Sequence, residues 1–345
     1  MRENIKSKLP EDIRAAMREM GHSEFHGDQI FKWLHSGVRS FDEMTNISKS
    51  LRAELEARYY ITVPEIIKKQ VSKTDGTIKY LWKLRDGNSV ESVIMKYKYG
   101  NTICISSQVG CRMGCMFCAS TIGGLIRNLE PSEMIDQVLF AQSDSRERIS
   151  HIVLMGIGEP LDNFDNVLQF LKLVNHPDGL NIGMRHISLS TCGLLEKVDK
   201  ISTYNLQLTL SLSLHAPDDE TRSRIMPVNK AYGVDRILDT CAKYYKTTGR
   251  RISFEYAMID GVNDTPYHAK LLAEKLGGMG CHVNLIPLNN VEESPLKPST
   301  PEHLRNFIDI LRKNNINVTV RRKLGSDIDA SCGQLRRKAG DSHGS

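Results

Sequence analysis

The sequence contains no apolar stretch long enough to span a bilayer, and aromatic residues make up only 6% of its 345 positions. Its first residues, Met1 to Lys6, lack the apolar core of a secretory signal peptide. The eight cysteines are clustered or single, without the even framework of a small secreted disulfide domain. We therefore expect a cytoplasmic protein that has no membrane partner.

The composition is that of an ordinary globular protein, with 40% hydrophobic and 25% charged residues. A chain of this length can bury a full core and form one large domain with a smaller one beside it. The net charge of +5 and the pI near 8.7 weakly favour a polyanionic partner. Composition alone does not identify that partner as RNA.

The strongest motif is a C-x3-C-x2-C run formed by Cys111, Cys115 and Cys118. Gly110 and Gly114 give this loop the backbone freedom to turn its three sulfurs toward one point. A structural zinc usually needs a second C-x2-C pair, which is missing here, although a zinc site completed by Cys104 or a distant His stays open. A four-iron cluster held by three thiolates leaves one iron without a protein ligand. That open iron implies chemistry rather than structural support.

Residues 1–60 are predicted to form short amphipathic helices. Pro10 followed by two acids can begin one helix, because proline suits the first turn and acids there complement the helix dipole. A second helix is expected through residues 29–34.

Residues 61–100 alternate between strand patterns and turn residues, and Asp75-Gly76 and Asp86-Gly87 predict two hairpin turns. Glu91 falls within one of these strand patterns. On the pattern alone, we expect Glu91 to be a solvated strand residue.

Residues 101–335 alternate between strand and helix patterns, and residues 336–345 form a basic tail that we expect to be frayed. The six predicted strands cover residues 103–107, 151–155, 186–190, 208–214, 252–256 and 282–286. Six repeats of a strand followed by a helix predict an α/β fold, a parallel sheet with helical crossovers. Six units are too few for a closed eight-fold barrel, so a partial (β/α)6 barrel, open on one side, is expected. Functional residues should lie at the carboxyl ends of its strands.

The Gly156-Ile157-Gly158-Glu159-Pro160 segment follows the second predicted strand. It lacks the third glycine of a dinucleotide fingerprint, and a tight turn is its simplest interpretation. Two glycines and an acid at a strand end would also let the backbone approach a ligand and offer a carboxylate to an ammonium group.

Several cationic residues recur near the predicted strand and loop ends: Arg127, Arg222, Arg224, Arg250, Arg251, Arg321, Arg322 and Lys323. Most charged runs are simply solvated faces. On the rim of an open barrel, these side chains would suit phosphate groups.

The cysteine spacing, with an aromatic residue just before the last Cys, resembles the signature of the radical S-adenosylmethionine superfamily. The resemblance implies a [4Fe-4S] cluster whose open iron binds S-adenosylmethionine, the cofactor that supplies the radical chemistry.

The longer motifs resemble the RlmN family of RNA methyltransferases over nearly the whole chain. They are Gln108 to Cys118, Arg127-Asn128-Leu129, Met155 to Pro160, Ser213 to Pro217, Arg224 to Pro227, Asn284 to Pro287 and Asp327 to Leu335. The resemblance implies methylation of carbon 2 of adenosine in 23S rRNA and in tRNA, next to the anticodon on its 3′ side. It also implies an RNA-docking role for residues 1–60 and an external electron donor such as flavodoxin or ferredoxin. We expect a monomer.

The resemblance assigns roles to individual residues. Cys111, Cys115 and Cys118 would hold the cluster, and S-adenosylmethionine would be bound by Gly158, Glu159, Ser190, Ser213, Leu214, His215 and Asn289. Cys332 would carry the methyl group as S-methylcysteine, and Glu91 would remove the ring proton from the RNA adduct. Cys104 would release the product by forming a transient disulfide with Cys332. Two S-adenosylmethionine molecules are consumed for each methyl group.

Three alternatives stay open at this stage. The related Cfr type methylates carbon 8 of the same rRNA adenosine, and no physical argument from the sequence separates it from carbon-2 methylation. An RNA-binding module with a structural metal would predict a colourless zinc protein and a dispensable Cys332. A radical enzyme that acts on a small molecule would leave the extra thiols unexplained.

Overall fold

The computed structural model describes residues 2–288 and 295–330. Within these ranges the helices are α1 (Pro10–Glu19), α2 (Phe25–His35), α3 (Lys49–Arg58), α4 (Pro131–Ser145), α5 (Phe164–Asn175), α6 (Leu195–Ser202), α7 (Asp219–Ile225), α8 (Val234–Thr248), α9 (Pro266–Leu276) and α10 (Pro301–Lys313). The strands are β1 (Glu3–Asn4), β2 (Tyr59–Tyr60), β3 (Glu65–Val71), β4 (Ile78–Lys83), β5 (Ser89–Tyr97), β6 (Gly100–Cys104), β7 (Gln108–Gly110), β8 (Leu125–Asn128), β9 (Ile149–Leu154), β10 (Ile187–Thr191), β11 (Thr209–Ser213), β12 (Ile252–Met258), β13 (Cys281–Pro287) and β14 (Val318–Val320).

A ten-stranded sheet organises the molecule, in the order β14-β13-β12-β11-β10-β9-β6-β5-β4-β3. Strands β6 and β9 to β14 pair in parallel, and β3 to β6 pair antiparallel. Each of the six strands β6, β9, β10, β11, β12 and β13 is followed by a helix, which confirms the predicted α/β fold with six strand-helix units. Within the described ranges β3 and β14 each pair with a single neighbour, so the sheet is open.

Burial explains why these strands form a parallel sheet. The side chains of Ile252, Phe254, Tyr256 and Met258 on β12 are almost fully buried, as expected when helices cover a parallel sheet. One contiguous hydrophobic core extends from the N-terminal helices through both faces of the sheet. Functional side chains can therefore emerge only where the strands end.

The first parallel strand differs from its prediction. We expected it over residues 103–107, and the structure places β6 at Gly100–Cys104. The amides of Ser107 and Gln108 both donate to Ile157 O, at 2.9 and 3.1 Å, so the chain has left the sheet at this point. Gln108–Gly110 then pairs with β8 as a separate strand. Cys104 consequently lies at the carboxyl end of β6, where sites form in this fold class.

The two predicted hairpin turns are confirmed. Gly76 joins β3 to β4 with φ of +72°, and Gly87 joins β4 to β5 with φ of +85°. The expectation that Glu91 is a solvated strand residue was wrong. β5 lies inside the sheet between β4 and β6, and the Glu91 side chain is only 2% exposed.

The first N-terminal helix begins as predicted, and α2 contains the helix predicted through residues 29–34. Pro10 is the first residue of α1, and Asp12 accepts a hydrogen bond from the Leu9 amide at 3.2 Å. Lys6 anchors this region to the barrel, because its Nζ lies 2.5 Å from Asp136 Oδ1 on α4 with both side chains buried. Residues 61–100 contribute β3 to β5 to the same sheet as the parallel strands. The boundaries at residues 60, 100 and 335 stay predictions.

His35, at the end of α2, is buried against the Phe31 ring with 4.2 Å between the ring centroids. Neither ring nitrogen has a hydrogen-bond partner in the described part of the chain. Burial, helped by the charge of Lys6, lowers the pKa of His35 to about 3. The folded protein therefore keeps this imidazole neutral at pH values where the unfolded chain binds a proton.

This difference should make the fold acid-sensitive. Because the folded pKa lies below the unfolded value of about 6.5, stability is unaffected above pH 6.5 and falls as the pH drops toward 3. We expect His35 to cost about 2 kcal/mol of unfolding free energy between pH 7 and pH 5. The free energy of unfolding can be measured by urea denaturation at both pH values, for the unmodified protein and for a His35→Leu variant. Only the unmodified protein should show the loss that His35 causes. Parallel losses in the two proteins would contradict the assignment.

Candidate active site

The cysteine loop is closed at its base by the antiparallel pair β7 and β8, with the Cys111 amide donating to Gly124 O at 3.0 Å. Gly110 has φ of +78°, and a Cβ added to it would lie 2.0 Å from Gly124 O, so only glycine fits there. Gly114 also has positive φ, at +72°. The predicted role of these two glycines in shaping the loop is confirmed.

A cavity of about 260 Å³ lies at the carboxyl ends of the parallel strands. All three cysteines of the loop line it. So do five of the residues that the resemblance assigns to the cofactor: Gly158, Glu159, Ser190, Ser213 and His215. Cys111 and His215, the first and last of these residues, are 104 positions apart in the chain, and the sheet brings them together. The strand-end prediction is consistent with this placement.

The Glu159 carboxylate lines this cavity and links the segment after β9 to the segment after β10 by hydrogen bonds. Its Oε1 accepts from the Leu161 amide at 3.0 Å, and its Oε2 accepts from the Cys192 amide at 2.8 Å. Burial raises the pKa of Glu159, and these hydrogen bonds oppose the rise. Gly158, with φ of +110°, allows the tight approach, because a Cβ there would lie 2.8 Å from Gln108 N.

His215 occupies a strained position against the cysteine loop. It has φ of +59°, and Asn263 Nδ2 donates to its carbonyl oxygen at 2.7 Å. The Ala257 amide donates to His215 Nδ1 at 2.8 Å, so Nε2 carries the proton of the neutral ring. Burial lowers the pKa of His215 to about 3. The ring meets Phe117 edge to face, with 4.8 Å between centroids, which couples the cofactor wall to the cysteine loop.

A second cavity of about 440 Å³ adjoins the first. Five residues line both: Met155, Gly156, Ile286, Pro287 and Arg321. Glu91 and Cys104 line the second cavity, together with Lys79, whose Nζ lies 2.7 Å from Glu91 Oε2. Burial raises the pKa of the Cys104 thiol, and the charge of Arg321 opposes the rise. Ala330, the last described residue, also lines this cavity.

Three of the predicted site residues are not placed at either cavity. Leu214 is fully buried, and its amide and carbonyl are bonded to Glu255 O and to Arg222 Nε. Asn289 and Cys332 lie outside the described residues. A Cys104–Cys332 disulfide therefore stays a prediction.

The residues at the cavities that were not predicted as site residues include Lys79, Cys192 and Glu255. Glu255 is buried, and Asn284 Nδ2 donates to its Oε2 at 2.8 Å. A lone acid in the apolar run of β12 is the sequence signal that could have identified it. Cys192 follows Ser190 at the end of β10, which is a weaker signal. Nothing in the sequence marks Lys79.

The predicted cationic rim is only partly correct. Arg127 is engaged by two acids, with Nε 2.6 Å from Asp86 Oδ2 and Nη1 2.7 Å from Glu133 Oε2. Arg222 is fully buried and cannot meet a phosphate. Arg322 and Lys323 are exposed and line the second cavity, as expected of phosphate contacts.

The first cavity fits an iron-sulfur cluster by the chemistry of its donors. Its three sulfurs are the soft ligands that iron clusters prefer, and they come from one loop at a strand end. Burial raises the pKa of Cys111 to about 12 and also raises that of Cys115, so without a metal these thiols would stay protonated. Coordination by a cation releases the protons and stabilises the thiolates.

Among the helices of residues 2–288 and 295–330, none combines the length and apolar character needed to cross a membrane.

Comparisons with known proteins show the family of this chain. Residues 105–272 match the family model of the radical SAM superfamily, and residues 4–61 match that of the ribosomal RNA large subunit methyltransferase N-terminal domain. The chain is 52% identical over 339 residues to a probable dual-specificity RNA methyltransferase RlmN of Lachnoclostridium phytofermentans, covering 98% of this chain and 95% of the relative. A protein of the same name from Alkaliphilus oremlandii is 54% identical over 327 residues, or 95% of each chain.

The crystal structure of a radical SAM methyltransferase from Sphaerobacter thermophilus superposes with a TM-score of 0.92 at 37% sequence identity. The match covers 96% of this chain and 98% of that one, so it includes the helical front region, the antiparallel strands and the open barrel. Together with the relatives near 50% identity, it places the whole chain in one family. The chain belongs to the RlmN family of radical S-adenosylmethionine RNA methyltransferases.

Proposed function

We propose that this chain methylates carbon 2 of adenosine in 23S rRNA and in tRNA. The observation that carries the proposal is the pair of adjoining cavities. The cluster cysteines line one cavity, Glu91 and Cys104 line the other, and five further residues line both. A radical enzyme acting on a small molecule would leave the Cys104 thiol in the second cavity unexplained.

In the first cavity, Cys111, Cys115 and Cys118 hold the cluster. The cofactor contacts are assigned to Gly158, Glu159, Ser190, Ser213, Leu214, His215 and Asn289. When bound, the [4Fe-4S] cluster and S-adenosylmethionine supply the methyl group and the radical that abstracts hydrogen. The protein itself orients these groups. Gly158 lets the backbone approach the cofactor closely. His215 offers a neutral ring, which does not repel the positive charge of the sulfonium group.

Cys332 carries the methyl group and becomes joined to the adenine ring through a methylene. Glu91 removes the ring proton of this adduct, and Cys104 attacks Cys332 to release the methylated RNA. The structural support is the position of Ala330, which lies two residues before Cys332 and lines the cavity of Glu91 and Cys104. The basic side chains of Arg322 and Lys323 beside this cavity suit the RNA phosphates.

The remaining assignments belong to the same proposal. Residues 1–60 form the RNA-docking domain, 61–100 the hairpin segment that carries Glu91, 101–335 the barrel and 336–345 the tail. Flavodoxin or ferredoxin provides the electron, and the protein works as a monomer in the cytoplasm.

The product decides between the open alternatives. The anaerobically purified protein is incubated with 23S rRNA fragments and tRNA, a reductant and S-adenosylmethionine labelled on its methyl group, and the digested nucleosides are identified by mass spectrometry. We expect labelled 2-methyladenosine, and none from a Cys118→Ala variant. A Cys241→Ala variant is the matched control, because Cys241 is a buried thiol on α8 away from both cavities.

Labelled 8-methyladenosine would instead assign the carbon-8 activity of the Cfr type. A colourless zinc protein without any methylated product would overturn the proposal in favour of a binding module.

A further inference from the structure

Arg222, on α7, is a buried cation without an acidic partner. Its side chain is fully buried, and no carboxylate lies within 4.0 Å of it in the described part of the chain. Its nitrogens donate instead to neutral oxygens: Leu214 O at 2.9 Å, Asn229 Oδ1 at 2.9 Å, Cys192 O at 2.8 Å and Ser213 O at 3.1 Å.

Burying a cation costs several kcal/mol unless an anion compensates for it. Burial lowers the pKa of Arg222 to about 10, which still leaves the guanidinium charged at neutral pH. The four hydrogen bonds satisfy its donors but do not neutralise its charge. The nearest acid, Asp219, is exposed and reaches the guanidinium only through Asn229, whose Nδ2 donates to Asp219 Oδ1 at 3.0 Å. Among the described residues, no anion therefore touches this buried positive charge directly.

The position of Arg222 indicates where a compensating anion would lie. Two of its acceptors belong to Cys192 and Ser213, which line the cavity of the cluster cysteines. The cysteine loop also contacts α7 directly, because the Met116 amide donates to Ile225 O at 3.0 Å. Arg222 thus lies immediately behind the cavity wall, on the element against which the cysteine loop is fixed.

An iron-sulfur cluster held by three thiolates is such an anion. Three thiolates outweigh the two positive charges of the oxidised core, and reduction by one electron adds a further negative charge. A fixed buried cation stabilises the more negative state more strongly, since little solvent screens it there.

We propose that Arg222 is the protein's counter-charge to the cluster and raises its reduction potential, so that the external donor can reduce it. The proposal rests on the proposed function only in that the cysteine loop holds a cluster. Arg222 touches no reacting atom and is therefore not a catalytic residue. It acts on the reaction through the effect of its charge on the cluster.

The test is a redox titration of the anaerobic holoprotein. The electron paramagnetic resonance signal of the reduced cluster measures the fraction of cluster that is reduced at each potential. Arg222→Met and Arg222→Gln remove the charge, and Arg222→Lys keeps it while losing most of the hydrogen bonds. Iron content is measured for each protein, and Arg127→Met is the control for removing an arginine that acids already compensate.

We expect both neutral variants to titrate at a more negative potential, with the reduction equilibrium constant lowered by at least about tenfold, or 59 mV for one electron. Arg222→Lys and Arg127→Met should stay near the unmodified protein. Loss of the cluster in both neutral variants, with retention in the lysine variant, would likewise support a requirement for charge. Unchanged potentials in the neutral variants, or loss of the cluster in the lysine variant as well, would overturn it. An unmodified protein without iron would instead refute the proposed function.

Discussion

Replacing Glu91 with Gln should stop the reaction at a covalent RNA–protein adduct and lower the yield of methylated adenosine by roughly 10²–10⁴-fold. The carboxylate is the base proposed for the ring proton, and an amide of the same shape cannot accept that proton. Cluster assembly and cofactor cleavage should continue, because Glu91 lies in the second cavity and not in the first. Denaturing gels of reactions with labelled RNA would show the adduct as a shifted protein band.

The environment of Glu91 calls for a control on stability. Lys79 Nζ lies 2.7 Å from its Oε2, and the two side chains are 0% and 2% exposed. Removing one member of a buried ion pair can cost about 3–5 kcal/mol. Asp136→Asn is a matched variant, since Lys6 and Asp136 form an ion pair with the same exposures far from both cavities. A comparable loss of product without adduct in both variants would contradict a chemical role for Glu91.

The structure also shows what pattern reasoning can and cannot find. Cysteine spacing and strand patterns are local signals that can be read from the sequence. Because the ends of parallel strands share one edge of the sheet, these signals predicted that the cysteine loop, Gly158, Ser190 and Ser213 lie together, and all of them line the first cavity. The environment of Glu91 depends on the long-range pairing of β5 between β4 and β6 and on the chain near residue 330. An alternating strand pattern carries no information about that covering segment, and so it predicted a solvated side chain.

Arg222 illustrates the same limit for charge. Its sequence neighbourhood, Asp219 to Ile225, is a short charged helix pattern that is typical of a solvated face. The side chain is buried where the carbonyl oxygens of Cys192 and Ser213, 30 and 9 residues earlier in the chain, converge on it from the ends of β10 and β11. Convergence of this kind is a property of the assembled sheet, and no local motif encodes it.

Replacing Cys104 with Ala should also trap the RNA adduct, but at a later step. Cys104 lies in the cavity of Glu91, where it is proposed to attack Cys332 and break the bond between sulfur and methylene. In the variant, Glu91 still removes the ring proton. RNA carrying deuterium at carbon 2 of the target adenosine therefore separates the two variants: mass spectrometry should find the deuterium retained in the Glu91→Gln adduct and lost from the Cys104→Ala adduct. Deuterium retained in the Cys104→Ala adduct but lost in the Glu91→Gln reaction would assign proton removal to Cys104 instead.

The release step should in addition be faster at higher pH. Burial raises the pKa of Cys104, so the thiol is mostly protonated near neutrality and its reactive thiolate increases about tenfold for each pH unit below that pKa. Adduct formed by the unmodified protein and moved rapidly to buffers between pH 7 and pH 9 should be released progressively faster. Because the Cys104→Ala adduct has no such thiol, its release should stay slow and independent of pH, whereas Cys281→Ala, a buried thiol away from both cavities, should follow the unmodified protein. A flat profile for the unmodified protein would mean that thiolate attack by Cys104 does not limit release.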